Sequence, residues 1–242
     1  CAGAKLAPMA RDSGEPAVEL VELERQLEKA DPGAERLEVL VKMGRILFVN
    51  EAERCRSVLE DALVESQRCG DNAALASALN MLADLAYSRG DIEEGVRLAE
   101  RALATARAVG SQRAESAALD KRGLLHQARG EFDEAESLFR QALEVSRAAE
   151  YLEGEQSALN QLAGLAGLRG RPDEALEHFQ RCLQLDDELG DDYARTIHLY
   201  NTGWALENLG RMEEAAEHFY RAIALAERAS LPGEKAYATC ML

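Results

Sequence analysis

Four histidines and five cysteines are the side chains best suited to hold a metal or attack a substrate, and their spacing gathers none of them into a site. His178 and His218 each stand in a Glu-His-Phe triplet one repeat apart, while His126 and His198 fall elsewhere. A zinc pair needs two ligands within a turn or two of chain, and no two histidines are that close. Cys1, Cys55, Cys69, Cys182 and Cys240 form neither a CxxC pair nor the even, dense pattern of a disulfide framework, which fits a reducing compartment. The 44 carboxylates are abundant but are not arranged to tune a general acid against a base. The glycines are single turn residues with no preceding strand and no Gly-Lys-Ser/Thr, so they do not form a phosphate loop. No catalytic, cofactor-binding or metal-binding residue is assigned, and the chain is not expected to be an enzyme.

The formal net charge of -16 argues against nucleic acid or an anionic membrane as the main partner, because both require a basic face. No run of eighteen apolar residues is present, so membrane insertion is not expected, and a cytoplasmic location is the expectation. A chain starting at Cys1 could be a mature lipoprotein carrying lipid on that cysteine, although an arbitrary start is the plainer reading.

With no reactive centre to position, the organisation of the chain lies in its repeats. Gly130, Ala135, Phe139, Ala142 and Leu143 recur forty residues on as Gly170, Ala175, Phe179, Cys182 and Leu183, and again as Gly210, Ala215, Phe219, Ala222 and Ile223. Towards the N-terminus the same columns hold Gly90, Gly95, Ala99, Ala102 and Leu103, then Asn50, Cys55, Leu59, Ala62 and Leu63. Such a period marks a repeat array, whose units bury their apolar faces only by stacking on one another. Few prolines and aromatics, with many Ala, Leu, Glu and Arg, predict a chain that is nearly all helix. In the second to fifth units a glycine closes the first helix, with Asn50 in its place in the first unit, and acidic residues then open the second helix, where they meet the positive end of its dipole. Ala62, Ala102, Ala142, Cys182 and Ala222 admit no large side chain and predict a close helix approach, with the recurrent Phe filling the next gap. Cys55 and Cys182, in columns otherwise held by Ala or Gly, read as buried packing residues.

The expected fold is all-α, a right-handed superhelical solenoid of antiparallel helical hairpins. Residues 1–14 are expected to be a disordered arm, and 15–33 a capping half-repeat helix with Val18, Leu20, Val21, Leu23 and Leu27 along its apolar side. Five hairpins follow over 34–232, at about 34–70, 71–110, 111–150, 151–190 and 191–232. Residues 233–242 align with the opening of another first helix. That truncated repeat suggests that the natural chain continues and offers a route to self-association.

The order small residue, Gly, Ala, aromatic, Ala, with Gly123 and Gly203 seven residues before the turn glycines, resembles the tetratricopeptide repeat. Its usual period is about thirty-four residues, so the longer unit here resembles the long-helix arrays of kinesin light chain and of bacterial signalling proteins. The resemblance implies that the first helices line a concave groove and hold a ligand. Carried over by position, the groove residues are Asn80, Asp84 and Tyr87; Asp120, Lys121, Leu124 and Gln127; Asn160, Gln161 and Gly164; and Tyr200, Asn201, Trp204, Glu207 and Asn208. Their amides suit an extended peptide backbone, since an amide both donates and accepts, and Trp204 beside Tyr200 suits a contact anchor. The family's clamp for acidic tails needs several Lys and Arg, and here Lys121 stands almost alone. Asp84, Asp120 and Glu207 favour a neutral or basic peptide instead. Three readings remain open: a peptide-binding scaffold, a regulatory array of a larger signalling protein, and an envelope lipoprotein held through Cys1.

Overall fold

The computed structural model describes residues 15–48 and 51–228, so the expectations for residues 1–14 and 233–242, and the turn at Asn50, lie outside the described residues. Among the described residues there are eleven helices and no strand. They are α1 (Glu15–Lys29), α2 (Ala34–Leu47), α3 (Ala52–Cys69), α4 (Asn72–Ser88), α5 (Ile92–Ala108) and α6 (Gln112–Ala128). The chain continues through α7 (Phe132–Ala148), α8 (Leu152–Leu168), α9 (Pro172–Leu189), α10 (Asp192–Asn208) and α11 (Met212–Arg228). None of the described helices is long and apolar enough to cross a membrane.

Helix ends follow local chemistry. Gly130 and Gly210 adopt φ 78° and 74°, left-handed values that let the chain leave one helix and enter the next without a Cβ clash. Asp71 and Asp191 cap α4 and α10 by accepting from two backbone N–H groups each, at 3.0 to 3.1 Å. Pro172 occupies the first turn of α9, where its missing N–H costs no hydrogen bond. Glu150 takes φ 51° at the position held by Gly70, Gly110 and Gly190 in other repeats. A side chain in that conformation costs on the order of 1 kcal/mol.

The contacts divide the chain into two compact units, one ending at Leu125 and the other beginning at His126, within the sequence of α6. In the first unit α1 rests on α2, α2 pairs with α3, α3 with α4, and α4 with α5. Leu37, Leu40, Leu47, Leu59 and Leu79 form its buried centre. The Cys55 thiol donates to the Gly44 carbonyl at 3.3 Å, and a Cβ on Gly44 would lie 2.6 Å from Leu59 Cδ2. Small residues therefore let α2 and α3 approach closely. The apolar side of α1 is narrower than expected. Leu20 and Leu23 are buried, whereas Val18 and Val21 are 72% and 57% exposed. At 100° per residue, Leu20, Leu23 and Leu27 share one stripe and the valines point away from it.

In the second unit α7 packs on α8, α8 on α9, α9 on α10, and α10 on α11. Phe139, Phe179 and Phe219 are buried, as are Ala142, Cys182 and Ala222 between them. A Cβ on Gly203 would sit 2.6 Å from Phe219 Cε1, so that glycine makes room for the aromatic ring. Burial pushes the Cys55 thiol up to about 11 and raises that of Cys182 as well. Neither sulfur is a nucleophile at neutral pH; both are core residues.

One interface in this unit departs from the rest. Ser66, Ala106 and Ser146 share a column with Asp186, and Ala78, Ala118 and Ala158 share one with His198. Both exceptions fall at the α9–α10 contact. There His198 Nδ1 lies 2.8 Å and 3.1 Å from the two Asp186 oxygens, and Gln156 Nε2 donates to Asp186 Oδ1 at 2.5 Å. Two substitutions that would each be costly alone form one buried polar cluster together.

Candidate binding surface on the first helices

α4 and α6 carry the groove residues of the first unit, and two of their polar contacts join one helix to the other, while the buried Asn80 Oδ1 has no hydrogen-bond partner among the described residues. Asn80 is buried, and its Nδ2 donates to the Ala114 carbonyl at 3.2 Å across to α6. Lys121 Nζ meets Asp84 Oδ1 at 2.6 Å, with each side chain about one quarter exposed. Burial works to lower the Lys121 pKa, but the Asp84 carboxylate, Asp120 and Tyr87 outweigh it and raise the ammonium above its ordinary value. Asp120 is buried at 4% exposure, and Leu124 is half-buried. Lys121 is therefore not a free cation, and Asp84 is not a free anion available to a basic ligand. The charges expected to select a ligand here largely neutralise each other.

α8 and α10 present a different surface. Asn160, Gln161, Asn201 and Glu207 are half-buried on these helices and have no hydrogen-bond or ion-pair partner among the described residues. Gly164 lies one turn beyond Asn160, exposed, and a Cβ built there would meet nothing within 4 Å. A glycine inside a helix costs about 1 kcal/mol relative to alanine, and at Gly164 no packing contact explains the choice. Asn208 donates from Nδ2 to the Trp204 carbonyl at 2.8 Å and is exposed. Gln127, near the end of α6, is half-buried, with a buried Oε1 that has no hydrogen-bond partner.

The two aromatic candidates separate. Tyr200 is only 7% exposed and packs on Phe219 with ring centroids 5.5 Å apart, so it is a core residue rather than a surface contact. Trp204 is half-buried: a Cβ on Gly167 would come within 2.7 Å of its Cη2 and Cζ3, which places that edge of the indole against α8. Gly167 thus seats the tryptophan beside the open amides. Among the described residues, no group of three or more His, Cys, Asp or Glu side chains is placed to hold a metal ion.

Column reading of the sequence missed the partnerships. The Asp84–Lys121 pair and the Asp186–His198 pair each join residues on different helices, and only the second leaves a sequence signal, as paired exceptions in two otherwise small-residue columns.

Comparison of the sequence with curated proteins finds no match. Among solved structures, BtubC (BKLC) from P. vanneervenii is similar with a TM-score of 0.68 at 19% identity, covering 91% of this chain and 91% of its own. A Rap protein complexed with Competence and Sporulation Factor gives a TM-score of 0.69 at 16% identity, covering 94% of this chain and 70% of the Rap chain. NprR in complex with its cognate peptide NprX gives 0.68 at 19% identity, covering 91% of this chain and 66% of NprR. At these identities the likeness is one of fold. The family model described as tetratricopeptide repeat matches residues 74–148 and 155–228, more than half of the sequence. On that match, and on the stacked hairpins it spans, the chain belongs to the tetratricopeptide repeat family.

Proposed function

We propose that this chain is a non-catalytic interaction scaffold that binds an extended peptide or partner segment across α8 and α10. One observation carries the reading: Asn160, Gln161 and Asn201 hold unpaired amides on neighbouring first helices, beside an open glycine and a half-buried tryptophan. None of the polar atoms of these three amides is both buried and without a partner, so water can pair with them in the free chain and a ligand can take that water's place. An extended backbone offers alternating donors and acceptors and would satisfy them. Gly164 would let that backbone approach the helix closely, and the free face of Trp204 would cover an apolar side chain. Glu207, which has no basic partner, favours a neutral to basic ligand. The structural likeness to a Rap protein and to NprR, both solved with a bound factor or peptide, supports the same class of work.

The experiment is selection of binding peptides from a random library on the folded chain, followed by titration against Asn160→Ala and Asn201→Ala. Selected peptides should lose affinity for both variants. Peptides that bind wild type and both variants equally would place the site elsewhere.

A further inference from the structure

A second charged surface lies at the α10–α11 face, and its sign is opposite to that of the chain as a whole. In the preceding hairpin Glu155 sits between two guanidinium groups, 3.1 Å from Arg147 Nε and 3.4 Å from Arg181 Nε. The carboxylate is 9% exposed and closes the gap between those arginines. One repeat later Arg195 replaces Glu155, Arg221 stands at the position of Arg181, and Arg228 stands at that of Glu188. The net charge of the three positions changes from minus one to plus three. A carboxylate moves to the column of Arg147, where Asp187 stands, and with that column included the net charge changes from zero to plus two.

Arg195 finds a partner in Asp187 on α9. Among the described residues Arg221 and Arg228 have neither an ion pair nor a hydrogen bond, although the protein has far more acidic than basic residues. The three arginines surround a pocket of about 380 Å³ whose apolar lining is Leu199, Ala224 and Leu225. Arg221, Ala224, Leu225 and Arg228 follow the i, i+3, i+4, i+7 pattern of a single helix face. A ligand seated there meets aliphatic surface flanked by guanidinium groups, each a fork suited to a carboxylate.

We propose that this face binds an acidic segment of a partner protein, one that places a carboxylate between Arg195 and Arg221 and an aliphatic side chain on Leu199 and Leu225. The carboxylate bridges Arg195, whose other partner is Asp187, to Arg221, the counterpart of the Arg181 that Glu155 meets one repeat earlier. The site differs from the α8–α10 surface in both its residues and the charge it selects. Neither surface depends on the other being occupied.

The test uses the full chain and a synthetic amphipathic peptide with glutamates on one helical face and leucines on the other, and a twin with lysine in place of every glutamate. Binding is read by fluorescence anisotropy. The acidic peptide should bind, and should weaken as salt is raised from about 50 to 300 mM. It should bind Arg221→Glu/Arg228→Glu at least about tenfold more weakly, as expected when close charge pairs are reversed. Both arginines are exposed and have no partner among the described residues, so an unchanged melting curve should accompany that loss. Asn160→Ala and Asn201→Ala should leave this binding intact. The proposal is overturned if the acidic peptide fails to bind the full chain, whether another part of the chain fills the pocket or the pocket takes no anion. Equal affinity for the lysine twin, or for the charge-reversed variant, would overturn it as well. So would a dimer of the chain alone, seen by sedimentation, that the charge reversal abolishes, because the occupant would then be a second copy.

Discussion

The first helices of the two units carry the same classes of side chain and use them in opposite ways. On α4 and α6, Asn80 donates to a backbone carbonyl and Asp84 holds Lys121, so much of the polar surface is spent on joining one helix to the next. On α8 and α10, Asn160, Gln161, Asn201 and Glu207 are left without partners, and the internal joining is done deeper, by Asp186, His198 and Gln156. Moving the polar contact from the face of the helices into their interface frees the face. Residue type at a groove position is therefore a poor guide to function unless its partners are known. An amide that is already bonded is structural, and one that is not remains available to a ligand.

The comparison can be tested most severely at the buried cluster. His198→Ala leaves Asp186 buried with Gln156 as its remaining donor, and should cost about 3 to 5 kcal/mol in a denaturant melt. Asp186→Ser/His198→Ala restores the residue types of the other interfaces. It should be more stable than the sum of its single variants implies, by about 1 to 3 kcal/mol. Strict additivity would mean that the two side chains do not act as a pair. If instead the double variant melts normally but loses peptide binding, the cluster positions α10 for its ligand.

Trp204→Ala should weaken peptide binding by about 2 kcal/mol, as for a tryptophan anchor. Its packing against α8 makes some loss of stability expected too, so affinity has to be measured well below the melting transition. Asn160→Ala and Asn201→Ala should each lose about 1 kcal/mol of binding with little change in melting. In the first unit the pattern should reverse: Asn80→Ala should change stability by about 1 kcal/mol and binding not at all. Calorimetric titration of the four variants against one selected peptide would show whether the two units divide the work in this way. Equal binding losses from Asn80→Ala and Asn201→Ala would erase the distinction.

The smallest effect is also the most pointed. Gly164→Ala fills open space on an exposed helix, so it should raise stability by about 0.5 to 1 kcal/mol. If a peptide backbone passes over this position, the same methyl group should reduce affinity. A gain in stability with unchanged affinity would move the ligand away from α8.

Much of the fold was legible because a repeat displays its core several times. Ala62, Ala102, Ala142, Cys182 and Ala222 form a column in which every residue is buried, and the turn glycines at 90, 130, 170 and 210 all adopt left-handed φ. A single helix gave less information. On α1 five apolar residues are too many for one stripe: at 100° per residue Val18 and Val21 point away from Leu20, Leu23 and Leu27, and both are exposed. The site was legible as a set of positions but not as a set of free groups. Tyr200 shares a column with Asn80, Asp120 and Asn160, and all but Asn160 are buried, so a polar residue type at that position did not mark an exposed one; Tyr200 is held inside by its packing on Phe219. Asp84 and Lys121 meet only because α4 and α6 lie side by side, a relation that spacing along one helix does not encode.

Trp204 is the only tryptophan in the chain, so its emission reports on the proposed surface without any label. The most direct measurement is its fluorescence during titration with a selected peptide, read beside the calorimetric isotherm for the same pair. If the peptide lies across α8 and α10, the emission should change saturably with the same midpoint as the heat, and Asn201→Ala should shift both midpoints together. A peptide that binds by calorimetry while Trp204 emission stays constant throughout would contradict the account, because the ligand would then lie away from the surface on which Asn160, Gln161 and Asn201 have no partner among the described residues.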